Sequence, residues 1–248
     1  MGGGEWSGGN ADVGIRRLLG RGRTAVQFLI RWAIRPLAML LWRPKAEGIE
    51  GVPLTGPVIF ASNHRAAVDT AVIPLVAPRP VAFLAKAEYF TGRSLKSRFG
   101  ARFLSALNYV PVDRGNAKAG LAALDAGRGV LEAGGAFGIY PEGTRSLDGR
   151  LHRGHTGVAT LALTTGAVVV PVGLLGTDKV QPVGVKIPRI APVTVRFGAP
   201  LDFSRYEGLE NSPAIRRAVT DEIMDAIAQL SEQEYVDSYH RRPDAQAA

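Results

Sequence analysis

The chain contains no cysteine. Disulfides, a thiol nucleophile and every thiolate metal site are thereby excluded, and the lack suits a reducing compartment. Histidine is scarce as well. The four that occur are scattered without metal-ligand spacing, so no metal site is expected. Acid is short relative to base: 22 Asp and Glu face 30 Lys and Arg, a net charge of +8 with a pI near 10.1. Such a balance implies an anionic partner, either nucleic acid or an acidic membrane surface. No recognition helix, aromatic-interleaved basic strand or other nucleic-acid motif is present. An anionic membrane surface is therefore the expected partner, and nucleic acid is not. A Gly-x-Ser-x-Gly elbow is also missing, which disfavours a serine hydrolase.

A clean membrane-spanning run is a further absence. Residues 1–10 are Gly-rich and expected to be disordered. They lack the ordered n-region, apolar h-region and cleavage site of a secretory signal. Residues 25–42 have the length of a marginal span, but Gln27, Arg31, Arg35 and Pro36 interrupt them. An arginine near a bilayer centre costs about 2.5–3.5 kcal/mol even on insertion scales. Pro36 is expected to break or kink a helix near Arg35. Residues 11–43 are thus read as amphipathic, interfacial helices, with Trp32 and Trp42 suited to the headgroup boundary. The competing expectation is that these apolar faces pack on the domain itself. The first reading implies a peripheral or monotopic protein on the cytoplasmic face of the cell membrane.

What is there is a folded protein, 46% hydrophobic and 21% charged. Residues 44–56 form a Pro/Gly-rich connection. Short apolar runs then alternate with helical stretches. Strands are expected near 57–61, 81–85, 109–112, 137–140, 167–172 and 193–197, and helices over 69–77, 94–106, 117–133, 155–165 and 212–235. The last helix carries a Ser212 cap, Pro213 in its first turn and an apolar face of Ile215, Val219, Ile223, Ile227 and Leu230. Alternation of this kind predicts an α/β fold with a mixed, largely parallel sheet flanked by helices. With no repeat and no clear linker, residues 44–240 are read as one domain and 241–248 as a flexible tail.

The stretch from Ala61 to Thr70, Ala-Ser-Asn-His-Arg-Ala-Ala-Val-Asp-Thr, lies at a strand-to-helix turn. Helical Cα–Cβ bonds tilt toward the N-terminus, so Asp69 can lean back toward the His64 ring. That pairing fixes the imidazole tautomer and stabilises imidazolium, which makes His64 a general base. The bland alternative is an aspartate favoured by the helix dipole and an Asn or Ser suited to a turn. Arg114 follows one apolar strand, and Glu142, Gly143, Thr144 and Arg145 follow another, where α/β sheets expose ligand-binding groups. Arg114 and Arg145 are suited to grip a phosphate, and Gly143 to let the backbone approach it. A strand-end arginine taken alone is more simply a surface ion pair, with Asp113 or Asp148 for instance. His152 and His155 are read as loop decoration, because neither has an expected carboxylate partner.

Taken together, Asn63-His64-x4-Asp69, Val112-Asp113-Arg114, Pro141-Glu142-Gly143-Thr144-Arg145 and Val170-Pro171-Val172 resemble the four ordered blocks of the glycerolipid acyltransferases, most of all the 1-acylglycerol-3-phosphate (lysophosphatidate) branch. The resemblance runs from about Gly48 to Leu201. It departs from the family pattern at Ala66, where a serine is common, and in a loose second block. It implies transfer of an acyl chain from an acyl thioester, on coenzyme A or acyl carrier protein, to a glycerol hydroxyl of a lysophospholipid, giving phosphatidate. It also implies His64 as base, Asp69 behind it, Arg114 on the acceptor phosphate, and Glu142, Gly143 and Arg145 shaping the acceptor site. Lys86 resembles a further phosphate contact, with a snorkelling surface lysine as the alternative.

The chemistry so implied needs no metal and no organic cofactor, since the substrate hydroxyl is the nucleophile and a thiolate leaves. The oxyanion needs donors; backbone N–H groups or Asn63 are the candidates. The acceptor stays open among lysophosphatidate, glycerol-3-phosphate, another lysophospholipid and a glycolipid. A non-catalytic peripheral protein that binds anionic lipid is the alternative from a different class, though lipid binding needs neither His64 nor Asp69.

Overall fold

Val58–Ser62 (β2) reads Val-Ile-Phe-Ala-Ser and is buried along its whole length. A strand without a polar face belongs inside a parallel sheet covered on both sides. In the computed structural model, which describes residues 35–91, 94, 97, 101, 104–105, 108–112, 119–185 and 187–240, β2 takes that position. The expectations for residues 1–34, for most of the 94–106 helix, for Arg114 and for the 241–248 tail lie outside the described residues.

The other strands are β1 (Lys45–Glu47), β3 (Val81–Lys86), β4 (Tyr109–Val112), β5 (Ala136–Ile139), β6 (Leu151–His152), β7 (Val168–Leu175), β8 (Thr194–Phe197) and β9 (Tyr235–Val236). Seven of the nine form one sheet in the order β1-β8-β7-β2-β5-β3-β4, and β6 pairs with β9. Within the sheet β7, β2, β5, β3 and β4 run parallel, while β8 runs antiparallel to β7 and carries β1 beside it. The expected mixed, largely parallel sheet is what forms.

The helices are α1 (Arg35–Trp42), α2 (Asp69–Val76), α3 (Glu88–Thr91), α4 (Ala119–Glu132), α5 (Gly157–Thr165), α6 (Thr177–Val180) and α7 (Pro213–Ser231). They cover both faces, and the strand pleat sorts neighbours between them. Phe60 and Val170 join Ile73, Phe83, Leu174 and Phe197 on one face, whereas Ile59 and Val169 join Phe137, Leu161, Ile223 and Ile227 on the other. Gly138 makes the first face possible: a Cβ there would lie 2.1 Å from the Phe83 ring.

Two features differ from expectation for local reasons. The last helix stops at Ser231, because Glu232 adopts a left-handed φ of 58° and Tyr235–Val236 pair with Leu151–His152 instead. Trp42, expected at a headgroup boundary, is half-buried against the core and donates its indole N–H to the Arg189 carbonyl at 2.7 Å. Among the described residues, no helix is long and apolar enough to cross a membrane.

Candidate active site

All five parallel strands end on one edge of the sheet, and the described residues among those singled out in the sequence gather in the loops that follow. β2 delivers Asn63 and His64, β5 delivers the loop from Tyr140 to Ser146, and β7 delivers the segment beginning at Gly176. Ligand-binding groups of open α/β sheets collect at this carboxyl edge.

His64 and Asp69 meet as expected, with His64 Nδ1 2.8 Å from Asp69 Oδ2. The same oxygen accepts the backbone N–H groups of Arg65 at 2.7 Å and Ala66 at 2.8 Å. An oxygen that already accepts two N–H bonds acts as acceptor toward the ring too, so Nδ1 is the donor. In the neutral ring the lone pair then lies on Nε2, which has no partner among the described residues. Asp69 is fully buried, whereas the His64 side chain keeps 15% of its surface exposed. A buried carboxylate behind a partly open imidazole can hold the ring and stabilise a proton taken up at Nε2.

Glu142 is turned toward the backbone of the site. It is 2% exposed. Its two oxygens accept the backbone N–H of His64 at 3.3 Å and of His152 at 3.0 Å. Burial raises its pKa to about 7, against the lowering effect of those two hydrogen bonds. The Glu142 carboxyl ties the backbone of the base to the following loop. The His64 carbonyl closes the same link by accepting from Ser146 N at 2.8 Å.

Gly143 ends a tight turn, with its N–H on the Tyr140 carbonyl at 2.9 Å. Its φ is +73° and a Cβ would sit 3.1 Å from the His155 ring. Backbone conformation rather than ligand approach accounts for this glycine. Thr144 is half-buried and Arg145 is exposed on the same loop. Lys86 ends β3 on the same edge of the sheet.

Asn63 takes a role other than the expected oxyanion donor. Its amide donates to the Leu174 carbonyl at 3.0 Å and to Gln233 Oε1 at 2.6 Å, while its Oδ1 accepts Leu174 N at 2.7 Å. Both amide hydrogens are committed, so the side chain extends the β2–β7 ladder and has none left for a substrate oxygen.

Two features were missed in the sequence. Tyr140 lies face to face with His64, ring centroids 3.9 Å apart and planes 12° from parallel. Its position directly before Pro141-Glu142-Gly143 was the available signal. His152 does have a carboxylate partner: it is buried on β6, and its Nε2 lies 3.1 Å from Asp148 Oδ1. The four-residue spacing of Asp148 and His152 carried that information. The exposed His155 instead stacks on Tyr239 at 4.7 Å, and burial followed by the Arg217 charge lowers its pKa.

Asp148, His152 and His240 offer ligand atoms within 4.8 Å of one another. Arg150, through its guanidinium and its backbone N–H, and the Ser146 hydroxyl already bind the Asp148 carboxylate. Against the raising effect of burial, these bonds and His152 hold its pKa far below the usual range. A cation there would have to compete with an ion pair already made.

A family model described as acyltransferase matches residues 43–175, more than half of the chain. A chloroplastic 1-acyl-sn-glycerol-3-phosphate acyltransferase of Arabidopsis thaliana is 33% identical over 139 residues, covering 56% of this chain and 37% of that protein. A 1-acyl-sn-glycerol-3-phosphate acyltransferase of Cocos nucifera is 31% identical over 172 residues, covering 68% of this chain and 54% of that protein. The chain thus spans about a third to a half of the length of these relatives. The crystal structure of the 1-acyl-sn-glycerophosphate (LPA) acyltransferase PlsC from Thermotoga maritima shares the fold, with a TM-score of 0.60 at 22% identity over 87% of this chain and 86% of that one.

Proposed function

The chain belongs to the acyltransferase family, and from that premise we propose that it transfers a fatty acyl group from an acyl thioester to the free hydroxyl of 1-acylglycerol-3-phosphate, forming phosphatidate. The observation that carries the reading is the 2.8 Å contact between His64 Nδ1 and the buried Asp69 Oδ2, on a ring that stays partly exposed. The names of the relatives support the acceptor.

In the proposed reaction His64 Nε2 takes the proton of the acceptor hydroxyl as its oxygen attacks the thioester carbonyl. Asp69 stabilises the imidazolium that forms. Collapse of the tetrahedral intermediate breaks the carbon–sulfur bond, and the thiolate leaves, taking the proton from His64. A positioned base of this kind contributes about 10²–10⁴-fold. Arg145 on its exposed loop, with Arg114 and Lys86, would hold the acceptor phosphate and convert binding into orientation of the hydroxyl. The chemistry calls for no metal or organic cofactor, because both reacting groups arrive on the substrates. With a lipid acceptor and a carrier-bound donor, the working place is the cytoplasmic face of a membrane.

The test is acyl transfer from palmitoyl-coenzyme A to lysophosphatidate by wild type and His64→Ala, with glycerol-3-phosphate as a parallel acceptor. Phosphatidate formed by wild type and reduced at least about 100-fold in the variant is expected. Wild-type acylation of glycerol-3-phosphate in preference to lysophosphatidate would overturn the acceptor. Full activity in His64→Ala would overturn the base.

A further inference from the structure

The segment between β7 and β8 leaves the sheet beside His64. β7 ends at Leu175 on the carboxyl edge, and β8 starts there at Thr194, because the two strands pair antiparallel with Leu175 opposite Thr194. β1 runs parallel to β8 with Lys45 opposite Thr194, so α1, which leads into β1, also arrives at this edge. Three separate parts of the chain therefore converge on one side of the sheet: the His64 turn, α1 and the β7–β8 segment.

That segment presents apolar side chains to solvent. Ile187 is 80% exposed, Ile190 70% and Val183 61%, while on α1 Leu40 is 63% and Leu37 55% exposed. Two hydrogen bonds anchor this segment at Arg189. Arg189 donates its N–H to the Val180 carbonyl at 2.7 Å, and its own carbonyl accepts the Trp42 indole at 2.7 Å. Val180 is buried, and Ala191 packs against the core on the other side of the two isoleucines. Loop and helix are thus joined, with their apolar residues outward. Cations accompany them, since Arg43, Lys179 and Arg189 are all exposed. Apolar side chains standing among cations match a bilayer surface bearing anionic headgroups, where the apolar groups enter the acyl boundary and the cations meet phosphate.

We propose that the β7–β8 segment, with Ile187 and Ile190 at its tip, docks on an anionic lipid surface together with α1 and so sets the His64 edge of the sheet against the bilayer. The proposal rests on the acyltransferase reading only for its purpose; lipid docking is measurable without turnover. It places a second, distant part of the sequence beside the N-terminal segment as a contact with lipid. It also gives the acceptor a short path, because a lysolipid leaving the bilayer would meet His64 on the same side.

Since the chain has no cysteine, Ile187→Cys and Ile190→Cys each create a single labelling position, and Leu54→Cys provides a control. Leu54 is 66% exposed but precedes β2, on the opposite edge. Each full-length variant, carrying an environment-sensitive fluorophore, is mixed with vesicles of phosphatidylcholine with or without phosphatidylglycerol. A blue shift and rise in emission at 187 and 190 with anionic vesicles, and none at 54, is expected. No change at 187 or 190 while the protein co-sediments with the vesicles overturns the proposal, and so does an equal change at 54. As a second measurement, Ile187→Ser/Ile190→Ser should lower partitioning into anionic vesicles at least about tenfold, while transfer to a monomeric short-chain acceptor stays within about twofold. Unaltered partitioning overturns the proposal. Concentration-dependent dimerisation of wild type that the double variant abolishes, with lipid binding retained, would assign the patch to a second copy of the chain instead. Loss of transfer to the monomeric acceptor in the wild type as well would count against the acyltransferase reading and leave the docking result standing.

Discussion

Tyr140 lies flat on the imidazole of His64, with 3.9 Å between ring centroids, and Phe83 backs the tyrosine at 5.7 Å. Asp69 holds the base by one edge, so a second contact is needed to stop rotation about that bond, and the tyrosine face supplies it. Tyr140 is half-buried with its hydroxyl buried, and burial, then the charge of Asp69, then Tyr109 raise its pKa well above the usual value. It stays neutral at working pH and acts as a surface. Tyr140→Phe should therefore keep activity within about threefold, while Tyr140→Leu should lower kcat about tenfold or more with a smaller change in KM. Steady-state kinetics of the two variants decides this.

Asp69→Asn tests the partnership from the other side. The amide is the same size, yet it cannot stabilise an imidazolium as a carboxylate does. It can also present N–H to the ring and to the Arg65 and Ala66 amides. A fall in kcat of at least about 100-fold, with the melting temperature lowered by only a few degrees, is expected from parallel assays and thermal melts.

Glu142 gives stability a pH dependence of unusual sign. Its carboxyl is raised from 4.5 to about 7 in the folded chain, so between those values the folded state binds more protons than the unfolded state. Stability from this group is then present below about pH 4.5 and lost as pH rises toward 7. The full shift corresponds to roughly 3 kcal/mol. Urea unfolding of wild type and Glu142→Gln from pH 5 to 8 checks the sign, and the variant should lack this component of the slope. Glu142→Gln should also slow turnover about 10–100-fold, because one oxygen that holds the His64 or His152 backbone becomes a donor.

Asn63→Ala should act on folding more than on chemistry. It strands the buried N–H and C=O of Leu174, a loss of roughly 2–4 kcal/mol. Chemical denaturation should report this, and any residual folded protein should retain turnover within about tenfold. A variant that folds like wild type but is inactive would return Asn63 to the oxyanion.

The sequence carried the sheet and the base pair because both depend on local patterns. An all-apolar five-residue run specifies a central strand, and a histidine, a turn and a helical aspartate five residues on specify a contact that one turn of backbone closes. The fate of Asn63 was not local. Its partners, Leu174 and Gln233, come from β7 and from the chain beyond α7, so the residue read in isolation passes equally for a turn former or an oxyanion donor. The contacts of Glu142 were not local either: its place in the acceptor-site block did not show that its oxygens would meet the backbone of His64 and His152, which depends on where those residues come to rest. Tyr235 continued a helical pattern until β6, some eighty residues earlier in the chain, offered it and Val236 a ladder.

Strand order also has a consequence for the moment at which the base becomes usable. β2, the strand that carries His64, has no sequence neighbour beside it in the sheet; its partners are β5 and β7. An emerging chain therefore exposes the sticky Val-Ile-Phe-Ala-Ser run long before either partner has been synthesised, and pairing of such distant segments is slow. The sheet that carries the His64 turn therefore closes only after β7 has been synthesised, although the His64–Asp69 contact itself is local.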